Sequence, residues 1–228
     1  MTKTRSICAS KTEGVTLDHA AGLYDILSPM MMLGAERRLH REVLSCLGLH
    51  NATSVLDIGC GTGTLTKDIF EAMSADRARW VVGIDAAEEM IRKANRKYTD
   101  RKGLQFDAVL AEDLPYPADT FDRIVSTFFF HHLNYKLKKS VMSEMWRTMR
   151  PGGTAIILDV DIPYSLWGRL CAYSGYWLFE QNEIKENIDG KLRTALMESE
   201  FAGNWDILSR RSGYLSIFEL RKTIKGES

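Results

Sequence analysis

This chain carries no excess of either charge: 30 Lys and Arg stand against 30 Asp and Glu, a formal net charge of zero. That balance removes the electrostatic surplus with which proteins hold nucleic acid or anionic membranes, so no nucleic-acid partner is expected. No apolar run approaches the ~18 residues of a membrane span, and the first dozen residues lack the apolar centre of a secretion signal. The four cysteines, Cys8, Cys46, Cys60 and Cys171, lie far apart with no C-x-x-C pair, which reads as reduced thiols. Repeats and low-complexity tracts are missing too. These absences predict a cytoplasmic protein without stable membrane insertion. What is present is an ordinary 228-residue chain, 45% apolar, long enough to bury one sizeable core.

One stretch organises the rest. Val55 to Ile58 is a short apolar run of the kind that forms a buried parallel strand, and three glycines follow at Gly59, Gly61 and Gly63. From Thr64 to Met73, Leu65, Ile69, Phe70 and Met73 recur at helical spacing. Strand, glycine turn and helix bring backbone N–H groups and a helix N-terminus close to a ligand. The dinucleotide fingerprint places its third glycine three residues after the second, a position held here by Thr64. Asp57, just before the turn, suits a cationic ligand better than a pyrophosphate. The next strand, 79–84, ends in Asp85, whose carboxylate can accept from both hydroxyls of a ribose. A positively charged nucleoside without phosphate fits these residues, and S-adenosylmethionine (SAM) meets that description, with S-adenosylhomocysteine (SAH) as its product.

Carried by four motifs in order across about residues 53–160, the chain resembles the class I SAM-dependent methyltransferases. Asp57 to Gly63 is similar to their first motif and Asp85 to their ribose-binding acid. Ala111 to Pro117, running into Phe121 to Val125, resembles their adenine-side loop and fourth strand, and Met149 to Gly153 their "RPGG" turn before the fifth. Within the class the chain is most similar to the type 11 and ubiquinone/menaquinone-biosynthesis C-methyltransferase group. Tyr24, Asp25, Met31, Gly34 and Arg37 match that group's N-terminal pattern, while Ser28, Met32, Glu36 and Leu39 replace its usual Asn, Ser, His and Trp. Phe128 to Leu133 is the version common in general small-molecule methyltransferases, and Leu110 stands where relatives usually place an adenine-binding Asp. The departures fall on the substrate side and leave the cofactor reading untouched.

The resemblance implies an α/β fold: a doubly wound, mostly parallel seven-stranded sheet, Rossmann-like, with an N-terminal helical cap. Residues 1–50 would form tail and cap, and residues 51–228 the SAM-binding domain. The spacing predicts a helix ending at Gly48 with Leu39, Val43, Leu44 and Leu47 inward, then strands at 54–59, 79–84, 104–109, 121–127 and 154–160. Helices are expected at 62–73, 86–98, through Leu137 to Met149, and at 184–200, and two antiparallel strands at 205–211 and 214–222. The methionines Met30 to Met32 read either as core packing under the cap or as part of an adaptable acceptor pocket. The aromatic segment 163–179 reads either as a helix packed on the sheet or as a wall for a planar acceptor.

For the cofactor, Asp57, Gly59, Cys60, Gly61 and Gly63 would hold the methionine end, and Asp85 the ribose beside Ala86 and Met90. Ala111, Glu112, Asp113 and Leu114 would border the adenine, and Thr127 would lie by the methionyl group. Methyl transfer is an in-line displacement, so the enzyme mainly aligns the two partners in a dry pocket. A base is needed only if the acceptor must lose a proton. His131 and His132, just past strand four, are the first candidates, with Tyr24 and His19 behind them. For the histidine pair the alternative is that one packs or caps the helix and the other is a solvated loop residue. Asp159 and Asp161 could orient an acceptor or bind a cationic amine, and otherwise end a solvated strand. No metal is expected. The predicted function is methylation of a small, apolar or aromatic acceptor by a monomer or homodimer. A SAM-binding regulatory protein, and after it a nicotinamide-dependent oxidoreductase, are the rivals.

Overall fold

Val55, Leu56 and Ile58 are apolar, β-prone and flanked by turn residues, so they suit a strand covered on both faces. The computed structural model, which describes residues 36–75, 78–99, 101–179 and 181–224, places them at the centre of a seven-stranded sheet. The strands are β1 (Ser54–Ile58), β2 (Trp80–Asp85), β3 (Leu104–Ala108), β4 (Phe121–Thr127), β5 (Met149–Val160), β6 (Trp205–Arg211) and β7 (Leu215–Arg221). Their order is β3-β2-β1-β4-β5-β7-β6, parallel through β5, with β7 antiparallel to β5 and β6. The chain therefore reverses its direction of winding between β1 and β4. In open α/β sheets, ligands bind outside the carboxyl ends of the strands at that switch.

Helices α1 (Glu36–Cys46), α2 (Thr64–Ala72), α3 (Glu88–Lys97) and α4 (Tyr135–Thr148) cover the sheet, followed by α5 (Leu166–Phe179), α6 (Asn182–Ile188) and α7 (Lys191–Met197). Two large apolar clusters result. Leu39 and Val43 of α1 and Leu47 just after it join Val55, Ile69, Val125 and Ile156 in one, while Leu56, Ile124, Met145, Ile157 and Phe218 belong to the other. Neighbouring residues of β1 and of β4 alternate between the clusters, as the period of two requires. Asn134 caps α4 by accepting from Leu137 N at 3.0 Å.

Two local expectations are corrected, and one left open is divided. The helix expected at 184–200 is two short helices, because Gly190 takes φ 89° between them; a Cβ there would come within 2.9 Å of Ile162. Arg150-Pro151-Gly152-Gly153 is part of β5, whose pairing with β4 shifts register between Phe121 and Arg123. The residues the motif placed in a turn make a bulged strand entry instead. Finally, the aromatic segment divides: Tyr173 and Tyr176 of α5 pack against the first cluster, whereas Trp167 and Trp177 are 68% and 65% exposed. Among the described residues, no helix is long and apolar enough to cross a membrane.

Candidate cofactor and methyl-transfer site

The three glycines after β1 have φ of 76°, 52° and 78°, a region that favours glycine. Two of them are also packed tight. A Cβ on Gly59 would lie 2.7 Å from the Phe129 ring, and one on Gly63 would lie 2.4 Å from Phe106. Gly61 differs: a Cβ there meets nothing within 4 Å. The turn thus has a closed floor and one open position, where a ligand can approach the backbone. It is tied to the neighbouring strand, since Gly59 N and Cys60 N both donate to Ile84 O at 2.9 Å.

Asp57 and Asp85 flank this opening differently. Asp57 is buried and accepts from Thr66 Oγ1 at 2.6 Å. Burial pushes its carboxyl up to about 7; the Thr66 bond opposes that and the charge of Asp85 adds to it. Asp85, at the end of β2, accepts from Gly61 N and from Ala87 N, each at 2.9 Å and through different oxygens. A carboxylate offers about four lone-pair sites, and hydroxyl groups are among the donors it can accept from. Cys60 is the third group here, and burial pushes its thiol well above the ordinary range, so it stays neutral.

Beyond β3, the loop at 111–117 is fixed from below by α4. Leu114 N donates to Glu144 Oε2 at 2.8 Å, and Arg147 donates to Leu114 O at 2.9 Å and Tyr116 O at 2.7 Å. Ala111 and Leu114 are buried in the core and Asp113 is exposed, so the loop has one packed and one open side.

The turn after β4 is the most constrained part of the site. Phe128 has φ 53°, a left-handed conformation that costs a bulky residue about 1–2 kcal/mol. Asp159, fully buried at the end of β5, offsets that strain. Its Oδ2 accepts from Phe129 N at 3.0 Å and Phe130 N at 2.7 Å. Its Oδ1 accepts from Val160 N at 2.7 Å and bonds His131 Nδ1 at 2.8 Å. Burial alone would raise this carboxyl, but His131 and the backbone donors outweigh it and hold Asp159 below the usual range. His132 bonds Gln181 Oε1 through Nδ1 at 3.2 Å, and its ring lies 4.0 Å from that of His131. Burial, helped by His131, pushes His132 down to about 3, so it is neutral at physiological pH.

Comparison with known proteins decides the family. A model described as a methyltransferase domain matches residues 55–153. The ubiquinone/menaquinone biosynthesis C-methyltransferase UbiE of Enterobacter sp. (strain 638) is 31% identical over 184 residues, covering 78% of this chain and 71% of that protein. The chain belongs to the class I SAM-dependent methyltransferases. The UbiE of Geobacter sulfurreducens is 32% identical over 161 residues, covering 68% of this chain and 60% of that one. Several of these matches span only about three-fifths of the relative's length. A solved structure from Methanococcus maripaludis superposes with a TM-score of 0.68 at 16% identity, covering 96% of this chain and 100% of that one, which shows the shared fold.

For a methyltransferase of this class, the structure brings Asp57, Gly59, Cys60, Gly61, Gly63 and Asp85 to one sheet edge, with Thr127 at the end of β4. Ala86 is half-buried, and Met90 packs with Ala87 in a small cluster behind the β2 end. Tyr24 and His19 lie outside the described residues. Asp159 and Asp161 are neither solvated nor open to an acceptor. Asp161 is bound by Arg193 at 2.8 and 2.6 Å and accepts from Ser216 Oγ at 2.5 Å. Sequence reasoning missed Thr66, Gln181, Asn187 and Lys138: Gln181 and Asn187 bond residues 49 and 28 positions away, and the burial of Thr66 and Lys138 leaves no mark in the local sequence. Only the Glu144-x-x-Arg147 pair left a legible signal, an i,i+3 charge pair on one helix face.

Proposed function

We propose that this chain transfers the methyl group of SAM to a small acceptor that is apolar or aromatic around its reacting atom. The observation that carries the donor half is the open position at Gly61 between Asp57 and Asp85. The residues present fit SAM: Asp85 would hold the ribose hydroxyls, Gly61 would face the ligand, and the side of the 111–117 loop bearing Glu112 would border the adenine. When bound, SAM supplies a sulfonium-activated methyl group. Asp57, buried and near its titration point, would gain its charge most readily beside a cation. Phe128, Tyr173, Tyr176 and Tyr214 gather as half-buried rings against one cluster near the β4 and β5 ends and would exclude water on the acceptor side. Membership of a family that includes quinone-biosynthesis enzymes supports a small planar acceptor.

Of the tail and cap expected at 1–50, residues 1–35 lie outside the described residues, and α1 packs against the sheet of the domain at 51–228. The free thiols of Cys46, Cys60 and Cys171 favour the cytoplasm, and the zero net charge favours a small molecule over nucleic acid. A homodimer is compatible with the exposed tryptophans of α5. Calorimetric titration with SAM, SAH and NAD tests the donor. SAM and SAH should bind and NAD should not, and Asp85→Ala should weaken SAH by about 1–3 kcal/mol. Binding of NAD in place of SAH would sink the assignment.

A further inference from the structure

Resting on the SAM reading, we propose that His131 is the proton acceptor of the methyl transfer, that Asp159 positions it, and that the acceptor's reacting group must shed a proton. Two adjacent histidines follow β4, and the structure separates them. His131 Nδ1 bonds the Asp159 carboxylate at 2.8 Å. A carboxylate can only accept, so Nδ1 carries the hydrogen and neutral His131 presents a bare Nε2. Among the described residues, that Nε2 makes no hydrogen bond. His132 uses its Nδ1 on Gln181, and its resistance to protonation leaves it a poor base.

The placement of His131 is also built rather than incidental. Asp159 accepts from Phe129 N and Phe130 N with the oxygen that His131 does not use. It thereby fixes both the strained Phe128 turn and the imidazole that the turn presents. The same turn sends the Phe129 ring against Gly59, so the backbone that carries His131 is packed onto the glycine turn at the switch between β1 and β4. Asn187, which donates to Val160 O at 3.1 Å and lies 3.4 Å from Asp159 Oδ1, has a buried Oδ1 with no partner among the described residues. The charged groups around the pair are Lys138 of α4, buried and bonded to Leu133 O, and Glu183 and Glu186 of α6. Among the described residues, no second carboxylate bonds the imidazole.

The balance is simple. The acceptor's lone pair forms the bond to the methyl carbon while the carbon–sulfur bond breaks with its pair onto sulfur, giving SAH. The acceptor's proton passes to His131 Nε2 and then to solvent. Asp159 stabilises the imidazolium so formed without taking its proton. Acceptors such as phenols, enols or ammonium groups require this step, whereas tertiary amines and thioethers do not.

A crystal structure of the full chain with SAH decides the geometry without any acceptor. The expected result is His131 Nε2 opening on the cavity that contains the SAH sulfur, with space for one acceptor group between them. An Nε2 closed off from the sulfur overturns the proposal while leaving the donor reading intact, whereas failure of SAH to bind removes both. Nitrogen-15 spectra of the histidines test the positioning role. Wild-type protein should show His131 protonated at Nδ1, and Asp159→Asn should move that proton to Nε2 in a protein that keeps its near-ultraviolet dichroism. An unchanged tautomer in a folded Asp159→Asn overturns the role of Asp159; if that variant does not fold, the wild-type tautomer and the SAH complex still decide. Against phenols that the wild type methylates, His131→Gln should lose about 10²–10⁴-fold in turnover with SAH affinity unchanged.

Discussion

The ring of Phe129 fills the space that a side chain on Gly59 would need, with Cδ2 only 2.7 Å from an ideal Cβ. This contact packs the turn after β4 onto the turn after β1, which in the proposed reading sets the distance between the donor and acceptor sides. Replacing Gly59 by Ala therefore meets both a left-handed backbone and a blocked position. Gly59→Ala should cost about 3 kcal/mol of stability. Gly61→Ala meets only the backbone term, so it should cost about 1 kcal/mol yet weaken SAH binding tenfold or more. Thermal melts beside calorimetry on both variants check this. A Gly61→Ala protein that binds SAH normally would remove the open position as the ligand's place.

Asp57 imposes a pH dependence whose sign can be worked out. Its folded value, about 7, lies above the ordinary 3.8, so the folded chain holds the proton more tightly than the unfolded one. The resulting stability is fully present below about pH 4 and is lost as pH rises through 7. The loss is at most about 4 kcal/mol. Denaturant titrations of the ligand-free protein at pH 5 and pH 8 should show this component, and Asp57→Asn should flatten it. Cationic SAM should restore more stability at pH 8 than neutral SAH does; equal effects would argue against Asp57 sensing the sulfonium.

Asp161 and Arg193 join the end of β5 to α7 through two charge-assisted bonds, with Arg210 at 3.7 Å as a more distant partner. Removing Arg193 leaves a buried carboxylate only partly compensated, a situation that costs about 3 kcal/mol. Arg193→Ala should lower the melting temperature by roughly 10 °C, and the double variant with Asp161→Asn should recover part of that loss. Two losses that simply add would show that the pair contributes no coupling.

Much of the fold was legible because local pattern and tertiary context agree. β4 lies where the apolar run of 121–127 placed it, and the other parallel core strands differ at their ends, β5 most because its bulged entry begins at Met149. The stretch from Ile184 to Glu200 was harder to read. Gly190 divides it, and a glycine inside a helical pattern does not announce whether it will be tolerated. The histidines were legible as a pair but not as individuals. Adjacent residues of one type carry no sequence signal that separates their partners.

By itself the sequence determined the strand–glycine–helix unit, the acid at the end of β2 and hence the class of ligand, because those depend on backbone conformation and on residues near one another in the chain. Only the tertiary structure decided which glycine faces open space, which histidine is held by a carboxylate, and that Asp159 and Asp161 are buried anchors. These properties depend on what lies across the sheet from each residue, and burial and hydrogen bonding are set by neighbours that chain order does not reveal.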